Sequence, residues 1–172
     1  MQLRRLLLVR HAEAAGGPVD AERSLTGKGT RRAAAIGSWL ARAGLAPERV
    51  VVSPARRAAQ TWEQARASLE PDVEPDVEPV VDARVYDNTV EALLAVIAET
   101  PDDVQTLAVV GHNPSVGELA RDLDDGRGSA PARRDVEAGF RAGGVAVFTL
   151  GTPFAAIVPG TATLTDLTVP GD

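Results

Sequence analysis

Two stretches of sequence decide the fold: Leu6-Leu7-Leu8-Val9-Arg10-His11 and Leu107-Ala108-Val109-Val110-Gly111-His112. Each contains an unbroken apolar run, which is typical of a strand covered on both faces of a parallel sheet. Each also ends in a histidine, and the chain contains two histidines. Because ligands bind beyond the carboxyl ends of strands in open parallel α/β sheets, we expect both imidazoles to face one pocket.

A third apolar run, Val50-Val51-Val52, is followed by Ser53-Pro54-Ala55-Arg56-Arg57. Ser53 is expected to cap a helix whose first residue is Pro54, which places Arg57 in or near the first turn. Helix N-termini favour anions, because their N–H groups and the helix dipole present positive charge. Three strand ends therefore predict a phosphate site equipped with a nucleophile.

The composition limits the possible classes of protein. With 172 residues and 44% hydrophobic content, the chain is expected to form one domain over residues 1–172. A net charge of −6 argues against nucleic-acid binding, and the lack of cysteine excludes disulfides and thiolate zinc sites. The apolar run before Arg10 is too short for a signal peptide or a membrane span. We therefore predict a cytoplasmic protein without a membrane association.

The basic residues are nearly all arginines, with Lys28 the single lysine among 18. Arginine is the better bidentate partner for phosphate oxygens, although most of these arginines are expected to be ordinary surface residues. Arginines beside the two histidines would repel a metal cation, so no metal and no cofactor are predicted.

The rest of the chain predicts alternating strands and helices. Helices are expected from Thr26 to about Ala43, after Ser53, from Thr89, and from Asn113 to about Leu123 with Pro114 at the first helical position. Residues 70–79 are expected to form an acidic, solvated loop, and no structure is predicted for residues 124–144. The final pair of strands, at residues 145–150 and 155–158, is expected to form an edge hairpin. This order predicts a three-layer α/β/α sandwich with a mostly parallel central sheet and an antiparallel hairpin at its edge.

Four motifs follow one another along the first 123 residues. They are Arg10-His11-Ala12-Glu13, Glu22-Arg23-Ser24-Leu25-Thr26, Ser53-Pro54-Ala55-Arg56-Arg57-Ala58-Ala59-Gln60-Thr61 and Val110-Gly111-His112-Asn113-Pro114. In order and spacing they resemble the motifs of the histidine phosphatase superfamily, whose fold is that of the phosphoglycerate mutases. Within it they are most similar to the SixA-type phosphohistidine phosphatases.

The resemblance implies that His11 is the nucleophile of a metal-independent phosphatase. The residues that it assigns to the phosphoryl oxygens are Arg10, Arg57 and His112. It also implies substrate-binding roles for Arg23, at the pocket rim, and for Asn113, whereas Arg56 is expected to be exposed. The chemistry is reasonable, because a neutral imidazole can attack phosphorus while a backbone carbonyl holds its other nitrogen.

Three functions remain open at this point. The first is dephosphorylation of phosphohistidine in a protein through a phosphohistidine intermediate on His11, for which a strong general acid is not needed. The second is hydrolysis of a small phosphomonoester, for which Asp87 or Glu91 is available as the acid. The third is a phosphate-binding regulatory module without turnover.

Overall fold

The computed structural model describes residues 2–69 and 77–172. Within these ranges the strands are β1 (Arg4–Arg10), β2 (Arg49–Val52), β3 (Val80–Val81), β4 (Thr106–Gly111), β5 (Val145–Leu150) and β6 (Thr163–Thr168). They form one sheet in the order β3-β2-β4-β1-β5-β6. Strands β3, β2, β4 and β1 are parallel to one another, whereas β5 pairs antiparallel with both β1 and β6. The predicted mostly parallel sheet is confirmed.

Helices connect the strands and cover both faces of the sheet. They are α1 (Gly27–Ala43), α2 (Arg56–Leu69), α3 (Ala83–Tyr86), α4 (Val90–Ala98), α5 (Ser115–Leu123) and α6 (Ala130–Ala138). Short 3-10 turns occur at Asp20–Glu22 and Phe154–Ala156. In the described ranges, none of the helices combines the length and apolar character that crossing a bilayer requires.

Strand β1 separates two hydrophobic cores, because successive side chains of a strand point to opposite faces of the sheet. Leu6 and Leu8 belong to the core under α3, α4, α5 and α6, together with Val85, Leu93, Leu119, Val136 and Phe148. Leu7 and Val9 belong to the core under α1 and α2, together with Ile36, Leu40, Ala58 and Trp62. Both faces of β1 are buried, as its unbroken apolar run predicts, and the three-layer architecture is confirmed.

Helix α1 follows its sequence signals closely. The Thr26 hydroxyl caps it by accepting a hydrogen bond from the Gly29 N–H, and Gly44 ends it with a φ of 67°. Its buried face contains Gly37, where a Cβ atom would lie 1.9 Å from the backbone oxygen of Ala65 in α2. This glycine lets the two helix backbones approach closely, which fixes the position of α2 on the sheet.

Two predicted helix starts are wrong by a few residues. Helix α2 begins at Arg56 rather than Pro54; the Ser53 hydroxyl accepts from the Ala55 N–H at 3.2 Å and also contacts His112. Helix α5 begins at Ser115, with Pro114 just before it rather than at its first position. The error is small for Arg57, which lies in the first turn of α2 as predicted.

The predicted edge hairpin is correct in its first strand and wrong in its second. Residues 155–158 are not a strand; Phe154–Ala156 forms a 3-10 turn with Phe154 fully buried as an anchor. Prolines at 153 and 159 flank the segment, and proline cannot donate to a strand ladder. The strand that pairs with β5 is β6, at Thr163–Thr168.

Residues 124–144, for which the sequence predicts no structure, contain α6. The Ser129 hydroxyl caps it by accepting from the Ala132 N–H, and Ala132 and Val136 are its two buried residues. So small an apolar face in a charged segment gives a weak helical signal. Of the predicted acidic loop at residues 70–79, residues 70–76 lie outside the described residues.

The close approach of α1 and α2 predicts that Gly37→Ala destabilises the protein. The three atoms nearest to the added methyl are backbone atoms of Ala65, so relief requires moving a helix. We expect a loss on the order of 1–3 kcal/mol in the free energy of unfolding, measured by urea denaturation. Ser38→Ala, next to it on the same helix, is the control and should stay within about 0.5 kcal/mol. Equal stability of the native chain and Gly37→Ala would contradict the contact.

Candidate active site

The site lies where β1, β4 and β2 end side by side. Arg10 pairs with Gly111 in the β1–β4 register, and the His11 N–H donates to the Gly111 carbonyl at 3.0 Å. The His11 and His112 rings therefore meet, with centroids 5.2 Å apart and planes inclined by 56°. The expectation that residues a hundred positions apart share one pocket is met by the geometry.

The His11 ring is held through one nitrogen. Its Nδ1 lies 2.8 Å from the Ala12 carbonyl oxygen, which can only accept, so we assign the proton to Nδ1 and the lone pair to Nε2. The Ala12 N–H donates to Thr61 Oγ1 at 3.0 Å, and that hydroxyl donates to the Arg57 carbonyl at 2.7 Å. Helix α2 thereby fixes the backbone that orients the imidazole.

The His112 ring has a polar neighbour at each nitrogen. Its Nε2 lies 2.7 Å from Ser53 Oγ, and its Nδ1 lies 3.4 Å from Arg57 Nη2. A guanidinium can only donate, so Nδ1 is the acceptor and Nε2–H donates to Ser53. The ring orientation is set by the end of β2 and the first turn of α2.

Arg57 and Arg10 reach the pocket from different elements. Arg57 is buried, and it donates from Nη1 to the Asp20 carbonyl at 2.8 Å and from Nη2 to Asp20 Oδ2 at 3.0 Å. Arg10 is half-buried and donates from Nη1 to the Phe140 carbonyl at 2.9 Å. Arg56 is exposed, as expected for the neighbour that faces away from the site.

Both imidazoles are uncharged at neutral pH. Burial lowers the pKa of His11 to about 4; Arg57 and Arg10 act in the same direction, and the hydrogen bond to Ala12 opposes them. Burial also lowers the pKa of His112 to about 4, helped by repulsion from the His11 ring whenever that ring is protonated and from Arg57. A buried group surrounded by guanidiniums resists gaining a further positive charge. His112 is therefore a neutral acceptor in this state.

The pocket has a volume of about 420 Å³ and opens to solvent. Its lining residues are Arg10, His11, Asp20, Arg23, Arg57, Tyr86, Asn88, His112 and Asn113. Arg23 lies at the rim, where it donates to the Ala15 carbonyl and to Asp20 Oδ1, each at 2.9 Å. The lining contains the predicted nucleophile and all five residues that the resemblance assigned to phosphoryl or substrate binding.

Asn113 lines the pocket, but its side-chain amide forms hydrogen bonds with the surrounding loops. Its Nδ2 donates to the Phe140 carbonyl at 2.8 Å, and its Oδ1 accepts from the Gly117 N–H at 3.2 Å. Asn88, with a φ of 62°, bridges the same loop by donating to the Asn113 carbonyl and accepting from the Ser115 N–H. These amides hold the segment after His112 in place.

The two carboxylates proposed from sequence as general acids do not reach the pocket. Asp87 and Glu91 are both exposed, and neither belongs to its lining. Val85 anchors α3 in the core, and the left-handed conformation at Asn88 then turns the chain. As a result, Tyr86 and Asn88 face the pocket on either side of Asp87.

Four residues near the site were missed by sequence reasoning: Asp20, Ser53, Tyr86 and Asn88. The one available signal concerned Ser53, which directly follows β2 and therefore lies at the same sheet edge as the histidines. Asp20 and Tyr86 come from loops and contact each other at 2.6 Å across 66 positions. No local pattern predicts a contact of that range.

Comparisons with known proteins agree with the geometry. Residues 6–159 match the histidine phosphatase superfamily (branch 1). An uncharacterized protein of Mycobacterium tuberculosis (strain H37Rv) is 34% identical over 167 residues, covering 94% of this chain and 99% of the relative.

Two solved structures extend the likeness to the whole chain. The "Putative Phosphohistidine Phosphatase SixA" of Nakamurella multipartitia has a TM-score of 0.85 and 30% identity, covering 100% of this chain and 99% of that one. The protein histidine phosphatase SixA complexed with tungstate has a TM-score of 0.77 and 27% identity, covering 96% of this chain and 97% of that one. The chain therefore belongs to branch 1 of the histidine phosphatase superfamily and, within it, to the SixA-type phosphatases.

Proposed function

We propose that this chain dephosphorylates phosphohistidine in a protein through a covalent phosphohistidine intermediate on His11. The observation that supports it best is the state of the His11 ring: Nδ1–H is tied to the Ala12 carbonyl, which leaves the Nε2 lone pair free. The same pocket contains Arg10, Arg57 and His112. A nucleophile and several donors for phosphoryl oxygens thus share one cavity.

In the first step the Nε2 lone pair of His11 attacks phosphorus as the bond to the leaving nitrogen breaks. The departing nitrogen keeps the bonding electrons. Positive charge develops on the His11 ring and is stabilised by the Ala12 carbonyl, which accepts from Nδ1–H. Arg10 and Arg57 neutralise the equatorial oxygens, which is the main requirement of phosphoryl transfer. His112 contributes when an approaching oxyanion raises its pKa and Nδ1 takes up a proton.

In the second step water attacks phosphorus and the His11 nitrogen leaves with its electron pair. The products are dihydrogen phosphate and the neutral imidazole, with the proton still on Nδ1. The proton that His112 takes up when the oxyanion binds returns to solvent when phosphate leaves, so the cycle closes with the residues of the pocket. We propose that it needs no metal ion.

The leaving group distinguishes the two enzymatic alternatives. An alkoxide is a poor leaving group and benefits from a general acid, whereas an imidazole can be protonated near neutral pH on its own. Asp87 and Glu91 are outside the pocket, and Asp20 inside it is held ionised by Tyr86, Arg23 and Arg57, which lower its pKa. This arrangement favours cleavage of a P–N bond over hydrolysis of a small phosphomonoester.

The substrate assignment is tested by offering a phosphohistidine peptide and a panel of phosphate esters, with and without chelator. Preferential cleavage of the P–N bond in both conditions supports the proposal. Preferential ester turnover would favour a phosphomonoesterase, and no turnover at all would favour a phosphate-binding module.

His11→Ala should reduce turnover by about a thousandfold or more, because a covalent mechanism without its nucleophile retains only binding and electrostatics. Acid quenching after brief incubation with substrate should trap a phosphorylated chain only in the native protein. Retention of most activity by the variant would refute the nucleophile assignment.

The paired arginines at the start of α2 offer a matched comparison. Arg57→Ala should lower kcat/KM on the order of a hundredfold, because it removes a buried donor for the oxyanion. Arg56→Ala removes an exposed guanidinium one position away and should change kcat/KM by less than about twofold. Circular dichroism of both variants checks that they remain folded. Equal losses would show that Arg57 has no special role.

The depressed histidine pKa values predict an unusual pH dependence. A lowered pKa means that His11 stays neutral, and so nucleophilic, as the pH falls from 7 until it passes about 4. The chain has two histidines, so imidazole NMR resonances can be followed directly. Both should titrate near pH 4 in the folded protein and near 6.5 in urea. A folded-state midpoint near 6.5 would contradict the burial argument.

A further inference from the structure

The carboxylate of Asp20 lies among the cationic and hydroxyl donors of the pocket. Its Oδ1 accepts from Arg23 Nη1 at 2.9 Å. Its Oδ2 accepts from Arg57 Nη2 at 3.0 Å and from the Tyr86 hydroxyl at 2.6 Å. Three donors from three separate parts of the chain thus converge on one anionic group.

Asp20 contacts both terminal nitrogens of the Arg57 guanidinium. Nη1 donates to the Asp20 backbone oxygen at 2.8 Å and Nη2 to the carboxylate. The same Nη2 lies 3.4 Å from His112 Nδ1, so the nitrogen that donates to the carboxylate also faces His112. A phosphoryl oxygen bound between Arg57 and His112 would take the second N–H of Nη2, next to the Nε–H, which is buried without a hydrogen-bond partner among the described residues.

Two anions on adjacent edges of the Arg57 guanidinium would share one positive charge and repel each other at contact distance. Each would therefore weaken the binding of the other. The Asp20 side chain is half-exposed and belongs to the short 3-10 turn at Asp20–Glu22, so it can withdraw into solvent. The buried Arg57 cannot follow it.

From this geometry we propose that the Asp20 carboxylate is a resident competitor of the substrate's phosphoryl group. It pairs with Arg57 while the site is empty and leaves that guanidinium when a phosphoryl group binds. The inference rests on the function proposed above, because it takes the pocket to be the phosphoryl site. Asp20 thereby lowers the apparent affinity of the pocket for any oxyanion.

The charge state of Asp20 is consistent with this role. Hydrogen bonds from Tyr86, Arg23 and Arg57 hold its pKa well below the usual range of a carboxyl group. The competitor therefore stays ionised at neutral and mildly acidic pH. Mild acid cannot relieve the competition, but a substitution can.

The test is the binding of inorganic tungstate and phosphate at pH 7, measured by calorimetry. Asp20→Asn and Asp20→Ala should each bind tungstate about tenfold more tightly than the native chain, since an ion-pair competitor has been removed. Glu22→Gln, an exposed carboxylate in the same turn and outside the pocket lining, is the matched control and should bind within about twofold of native. Unchanged or weaker binding by both Asp20 variants would overturn the proposal and identify Asp20 as a support for Arg57.

Three further outcomes are informative. Tighter binding by Asp20→Asn alone would indicate a new amide hydrogen bond to the anion and would also overturn the proposal. If no form of the protein bound tungstate or phosphate, the proposed function would fail and the competitor role with it. Native binding that Asp20→Ala leaves unchanged would refute the competitor while leaving the phosphoryl site intact.

Steady-state kinetics give an independent readout. Removal of a competitor lowers KM for a phosphohistidine peptide, so Asp20→Ala should lower KM about tenfold and leave kcat within about twofold. A large fall in kcat with unchanged KM would instead make Asp20 a proton donor and would overturn the competitor role.

Discussion

The parallel pairing of β1, β4 and β2 is the constraint on which the site depends. The register that sets Arg10 opposite Gly111 and Val52 opposite Val110 brings three strand ends to one edge. His11 and His112 can meet only because those ends are aligned, and the hydrogen bond from the His11 N–H to Gly111 continues the ladder past the strand. A shift of one residue in this pairing would turn one imidazole toward the core.

The chemistry of the pocket is supported by residues that do not line it. Thr61 links α2 to the backbone that orients His11, and Gln60 accepts from the Leu25 N–H at 2.8 Å, which ties the rim loop to the same helix. Ser53 holds His112. The segment from Ser53 to Thr61 thus supplies Arg57 and also fixes the positions of both histidines and of the rim loop.

The charges of the site suit the replacement of one bound anion, the Asp20 carboxylate, by another, the phosphoryl group. Arg10, Arg23 and Arg57 contribute positive charge, while both imidazoles are kept neutral by burial and by those guanidiniums. Within the described lining, Asp20 is the group of opposite charge. A phosphoryl group that replaces Asp20 would keep the guanidiniums paired with an anion and would raise the pKa of His112, so that His112 accepts a proton. Binding of the phosphoryl group and protonation of His112 are therefore linked.

The sequence by itself determined the layered fold, the first helix from its Thr26 cap to Gly44, and the meeting of His11, His112 and Arg57 at one edge. These follow from local signals, namely apolar runs, caps and strand-end positions. Only the tertiary structure decided the placement of β6, the exclusion of Asp87 and Glu91 from the pocket, and the convergence of Asp20 with Tyr86 and Arg57. Those features depend on contacts between residues far apart in the chain, and a local pattern contains no information about which distant partner a loop side chain will find.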